Sequence, residues 1–116
     1  MKYTHLFTGP DGESHFEDIE VAFPPPVGEA NQPADVIPAT GAQFVRQPPG
    51  YWHDWHHAPQ RQFVVIVQGA IELEVKSGEK RRLNPGDVML AEDVTGRGHI
   101  VRNVSSGETI MLRTRL

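Results

Sequence analysis

No stretch of this chain keeps apolar residues on a 3.6-residue period for three turns, because ten prolines and eleven glycines cut its 116 residues into short pieces. Helix is therefore expected to be a minor component. From Ala42 onward the pieces read as strands: "AQFVRQ", "RQFVVIVQG", "AIELEVKSG", "EKRRL", "NPGDVMLAE", "GHIVRNV" and "TIMLRTRL". In "VQGAIELEV" a strand meets a glycine turn and a second strand, whose Ile71, Leu73 and Val75 alternate with Glu72 and Glu74. That alternation is the mark of a half-buried antiparallel strand. "NPGD", Asn84 to Asp87, predicts a turn capped by Asp87. Seven or so strands with turns roughly every 8 to 12 residues predict an all-β fold, a sandwich or barrel.

Upstream, "FEDIEVAF" reads as one early strand, and Pro24 to Gly41 as a proline-rich connection in which each proline removes a ladder donor. The chain is long enough for one domain and too short for two. The expected organisation is an N-terminal strand and proline-rich loop over residues 1–41, packed on a barrel formed by residues 42–116.

The formal charge of −4 and the scattering of the eleven lysines and arginines give no basic field for nucleic acid. The longest apolar run, "FVVIV" from Phe63 to Val67, falls far short of the roughly 20 residues a membrane helix needs. Neither nucleic acid nor a membrane is an expected partner. "MKYTHLFTG" has no apolar segment of the kind a secretory signal carries, and the expected location is cytoplasmic. With no cysteine, any metal has to be held by His, carboxylate or amide groups.

The richest stretch is "GYWHDWHHAPQRQ", Gly50 to Gln62. Together with "NPGD" and "GRGHIVRN" it resembles the cupin superfamily of small jelly-roll β-barrels, whose motifs run G-x5-H-x-H-x3,4-E-x6-G and G-x5-P-x-G-x2-H-x3-N. The resemblance covers roughly Phe44 to Val104. Gly50 and Gly69 bracket the first motif, while Gly86, Gly96, His99 and Asn103 carry the second. The segment between Gly86 and Gly96 is about two residues longer than the pattern, and Val94 replaces a proline.

Counted back from Gly69, the motif places Gln62 where the family has glutamate, His57 at its second histidine and Trp55 at its first. The resemblance implies a divalent ion, Fe, Mn, Zn, Ni or Cu, on His57, Gln62 and His99. It also implies catalytic work for His57 and His99, by metal assistance or by acid/base exchange. Trp55 has only a donor and cannot coordinate, so it reads as pocket wall with Gln62, Val64 and Val101. Strand geometry bears on the other histidines: His53 lies four residues from His57, about 13 Å along a regular strand, and His56 points to the face opposite His57. A bulge near "WHHAP" that swings His53 or His56 inward would supply a further ligand. Loss of the carboxylate at position 62 leaves a metal site one unit more positive and favours an anionic substrate.

If Gln62 faces inward, so do Val64 and Ile66, which leaves Phe63, Val65 and Val67 on an apolar outer face that needs a cover. A second subunit is the expected cover, and the family resemblance also implies a homodimer. Asp54, Glu92 and Asp93 read as solvated or turn residues, Glu92 being the one carboxylate able to lean towards the mouth. His5 and His15 have no partner in sequence and read as surface. The function expected is a barrel that binds a small polar or anionic organic molecule, as a dioxygenase-, lyase- or isomerase-type enzyme or as a non-catalytic sensing module.

Overall fold

The computed structural model describes all 116 residues, Met1–Leu116, and contains ten strands and no helix. The strands are β1 (Lys2–Thr8), β2 (Ser14–Glu20), β3 (Gly41–Gln47), β4 (Trp52–His56), β5 (Gln62–Gln68), β6 (Ile71–Glu74), β7 (Lys80–Leu83), β8 (Val88–Glu92), β9 (His99–Asn103) and β10 (Thr109–Arg115). They form a six-stranded sheet in the order β2-β1-β8-β5-β10-β3 and a four-stranded sheet in the order β4-β9-β6-β7. The architecture is a jelly-roll sandwich. All seven segments expected downstream of Gly41 are strands.

One strand was not expected from the sequence. β1 lies parallel to β8 and hairpins to β2. "KYTHLFT" alternates Thr4 and Leu6 against Tyr3, His5 and Phe7, and Leu6 is completely buried in the main core. Residues 21–40 contain no strand.

The core lies between the sheets and follows the period of two. β5 buries Gln62, Val64 and Ile66, while β6 buries Ile71 and Leu73; β8 adds Met89 and Ala91, and β10 adds Thr109 and Met111. On the outer face of the large sheet Phe44, Leu112 and Val65 follow one another across β3, β10 and β5, and Phe44 is 75% exposed. Tyr3 covers part of this face by setting its ring edge against Phe63, with centroids 5.6 Å apart.

Three polar devices fix the connections. The Asn84–Asp87 turn closes through Asp87, whose carboxylate accepts the Asn84 amide at 2.8 Å. Buried Asn103 donates to the Pro48 and Gly107 carbonyls at 2.9 Å each and accepts from Ser105 and Thr109, so it ties the β3–β4 and β9–β10 loops together. Glu92 does not lean towards the mouth: on β8 its parity is opposite to that of Met89 and Ala91, and it lies with His5 (2.6 Å) and Arg61 on the outer side. Burial raises the Glu92 pKa, but the bonds from Arg61 and His5 outweigh this and hold the carboxyl below its ordinary value. His5 also meets Glu17 at 2.6 Å and His15 meets Asp11 at 2.9 Å, so neither lacks a partner.

Candidate functional site

β4 and β9 pair in antiparallel register with a shift: His53 faces Val101, and His56 faces His99. Three steps along β4 match two along β9, so one extra residue is looped out between His53 and His56. A bulge of this kind restores an odd-spaced residue to the inner face. Asp54 stabilises it locally, its carboxylate accepting the Trp55 amide at 2.9 Å and its carbonyl accepting the His56 Nδ1–H at 2.7 Å. Gly98 permits it globally. At φ +78° this glycine brings its backbone so close to the His56 carbonyl and the His57 amide nitrogen that a Cβ would overlap both.

The bulge corrects the expected assignment of the histidines. His53, His56 and His99 line one cavity, with the rings of His53 and His56 stacked at 3.7 Å and those of His56 and His99 4.5 Å apart. His57 lies beyond the strand, exposed, with Nδ1 donating to the Ala58 carbonyl at 2.9 Å, and does not line the cavity. Trp55 is also absent from the cavity wall, and Arg97 covers its ring at 5.8 Å. Both departures follow from the segment between His56 and Gln62, which has five residues where the motif has three or four, while the looped-out residue lets His53 join His56 on the inner face. Gln62, Val64 and Val101 line the cavity at their expected positions.

Behind His99 is a residue that sequence reasoning treated as solvated. Asp93 is completely buried and accepts hydrogen bonds from His99 Nδ1 at 2.6 Å and from Ser14 Oγ at 2.7 Å. Its backbone carbonyl accepts the Ala58 amide at 2.9 Å, which ties the loop after β4 to the end of β8. A carboxylate on Nδ1 fixes that nitrogen as the protonated one and leaves Nε2 as the free nitrogen. The signal was in the sequence: Met89, Ala91 and Asp93 share one parity, so the inward row of β8 continues past the end of the strand. His56 has the same free Nε2, because its Nδ1 must donate to the Asp54 carbonyl. Burial pushes the pKa of the His56 imidazole below its ordinary value, a shift that the Asp54 carbonyl opposes and the neighbouring His99 and His53 reinforce.

The cavity holds about 300 Å³ between the two sheets, near the lower end for small-molecule sites. Its small-sheet wall carries the three histidines with Val101, Ile71 and Leu73. The large-sheet wall carries Gln47, Gln62, Val64, Met89, Met111 and Arg113. No carboxylate lines it.

Three imidazoles and the Gln62 amide are donors suited to a divalent ion, and the partners on Nδ1 of His56 and His99 are those that orient metal-binding histidines. As placed, however, the rings of His53 and His56 stack 15° from parallel rather than aiming at one point, and no group of three His, Asp or Glu forms a ready-made cage.

Comparison with known proteins fits this geometry. Residues 43–114 match the family described as Cupin domain. The chain belongs to the cupin family. Among solved structures, a cupin domain from Bordetella pertussis Tohama I superposes with a TM-score of 0.50 at 26% identity, over 64% of this chain and 77% of that one. A sugar phosphate isomerase of the cupin superfamily from Silicibacter pomeroyi superposes with a TM-score of 0.50 at 25% identity, over 69% and 53% of the two chains. The Oryzines biosynthesis cluster protein J of Aspergillus oryzae is 37% identical over 76 residues. That match takes in 65% of this cupin and 41% of the relative, so the chain spans less than half the length of that protein. No helix of this cupin is long and apolar enough to cross a membrane.

Proposed function

We propose that this cupin is an enzyme that binds a small anionic organic molecule between its sheets and moves a proton on it. The observation that carries the reading is the pairing of a histidine whose pKa is held below its ordinary value, His56, with one backed by a buried carboxylate, His99, on one wall of the cavity. Two adjacent imidazoles, each with one nitrogen committed and the other free, can accept a proton from one carbon and return it to another. Isomerisation and elimination are the reaction classes this supports. The isomerase neighbour and the relative from a biosynthesis cluster are consistent with small-molecule chemistry. A divalent ion bound by His53, His56, His99 and the Gln62 amide would add Lewis-acid polarisation of the substrate oxygen.

The test is exchange of substrate hydrogen for deuterium in heavy water across a panel of small oxo and hydroxy acids, with and without chelator and with added Mn(II), Fe(II) or Zn(II). His99→Gln is expected to lower exchange at least a hundredfold, and His57→Gln to leave it unchanged. Acids that raise the melting temperature with no exchange under any metal condition would replace the enzyme with the ligand-sensing module.

The outer row of Phe44, Leu112 and Val65 supports a homodimer built on the large sheet. Sedimentation is expected to give twice the chain mass, falling to the monomer in Phe44→Lys. A wild-type monomer at high concentration would remove the dimer.

A further inference from the structure

We infer that Arg113 is the anchor for the ligand's carboxylate, so that the molecule this cupin accepts is a small carboxylic acid held across the cavity with its carbon body against the histidine wall. The inference rests on the proposed small-acid chemistry and names its ligand class.

Arg113 extends inward from β10 in the same row as Met111 and Thr109 and lines the cavity. Seven of the eleven lysines and arginines pair with a carboxylate within 4.0 Å: Arg46, Arg61, Lys76, Lys80, Arg81, Arg97 and Arg102. Arg113 does not, although it is partly buried. Its Nε is buried with no hydrogen-bond partner. Burial lowers its pKa; Tyr51 nearby favours the charge and Arg115 opposes it, and no carboxylate contributes. A partly buried guanidinium without a counter-ion is costly, and a bound anion offsets that cost.

The surroundings select the kind of anion. Gln62, on the neighbouring strand two residues from Arg113's partner Val64, offers an amide donor on the same wall. A planar guanidinium and one amide match the two oxygens of a carboxylate. A phosphate ester, with more oxygens and more charge, calls for several backbone N–H groups or further cations, and Arg113 is the only lysine or arginine in the lining. The space beyond the anchor is apolar, formed by Val64, Met89 and Met111, and suits a short carbon chain.

The experiment measures binding of pentanoate, pentanamide and butyl phosphate to the full chain by calorimetry, together with the melting temperatures of the ligand-free variants. Pentanoate is expected to bind at least tenfold more tightly than either of the others, and Arg113→Gln to weaken it about thirtyfold, since truncating one partner of a buried charge pair carries a penalty of that order. Arg115→Gln is expected to leave binding within about threefold of wild type, as exposed charges contribute little. The ligand-free protein supplies an independent readout: Arg113→Met is expected to melt higher than wild type, because it removes an uncompensated, partly buried charge. Equal binding of acid and amide, preference for butyl phosphate, unchanged pentanoate binding in Arg113→Gln, or a lower melting temperature for Arg113→Met would each overturn the anchor. Arg113-dependent pentanoate binding without deuterium exchange on any acid would leave the anchor standing and remove the proton-transfer reading. Exchange that persists in Arg113→Gln would do the reverse.

Discussion

Alanine at position 98 is expected to cost this protein about 3 kcal/mol or more of folding stability, a loss of backbone freedom and a steric overlap acting together. The backbone there has φ +78°, where a side chain costs roughly 1–2 kcal/mol by itself. The new methyl group would also overlap the carbonyl of His56 and the amide nitrogen of His57, which belong to the neighbouring strand and its exit loop and cannot rotate away as a side chain would. Gly78 is the control: it has φ +90° but open space where its Cβ would go. Gly78→Ala therefore measures the backbone cost alone. Urea unfolding is expected to show Gly98→Ala losing at least about 2 kcal/mol more than Gly78→Ala, the difference being the overpacking. Equal losses would mean that β4 and the loop before β9 are not held as tightly as the structure shows. Deuterium exchange should fall as well, because the strain lands on the bulge that presents His56.

Removing the Asp93 carboxylate should have an effect of similar size through a different cause. Asp93→Ala leaves two buried donors, His99 Nδ1–H and Ser14 Oγ–H, without their acceptor, at about 1–3 kcal/mol each. Ser14→Ala, which deletes one hydrogen bond, should cost only about 1 kcal/mol. Asp93→Asn keeps the volume and separates orientation from packing. It is expected to lower exchange by about tenfold to a hundredfold, the usual price of losing the group that orients an active histidine, while the protein remains folded. Urea unfolding and exchange measured on the same three variants check both effects. Full exchange activity in a folded Asp93→Asn protein would show that His99 does not depend on its carboxylate.

Much of this fold was legible because the chain keeps one rule almost everywhere. Side chains two apart share a face, and that alone puts Gln62, Val64 and Ile66 inside and Phe63 and Val65 outside. The same rule, carried one step past β8, would have found Asp93, and carried along β10 from Met111 it would have found Arg113. Asp93 was missed because a charged residue past a strand end was read as solvated, and Arg113 because it was not singled out at all, when burial depends on which way the row points. β1 was missed for a different reason. Its apolar signal is two residues, Leu6 and the aliphatic part of Thr4, and only its position between β2 and β8 explains why they are buried. The histidine assignment went astray because His56 stands one residue further from Gln62 than the motif counts, and nothing in "WHDWHH" marks the bulge that brings His53 in beside it. What marks it is Gly98, forty-two positions after His56 in the chain and touching it in space.

That looped-out residue also bears on how such sites tolerate insertion. Adding one residue to a strand normally turns every later side chain the wrong way and ruins the face beyond it. In β4 the strand stops at His56, so nothing lies beyond to be turned. The insertion is absorbed where it arises, and H-x-x-H on a bulged strand presents the same pair of side chains as H-x-H on a regular one. Histidine spacing in this fold is thus counted in inward-facing positions, and two chains whose motifs differ in length by one residue can present the same chemical surface.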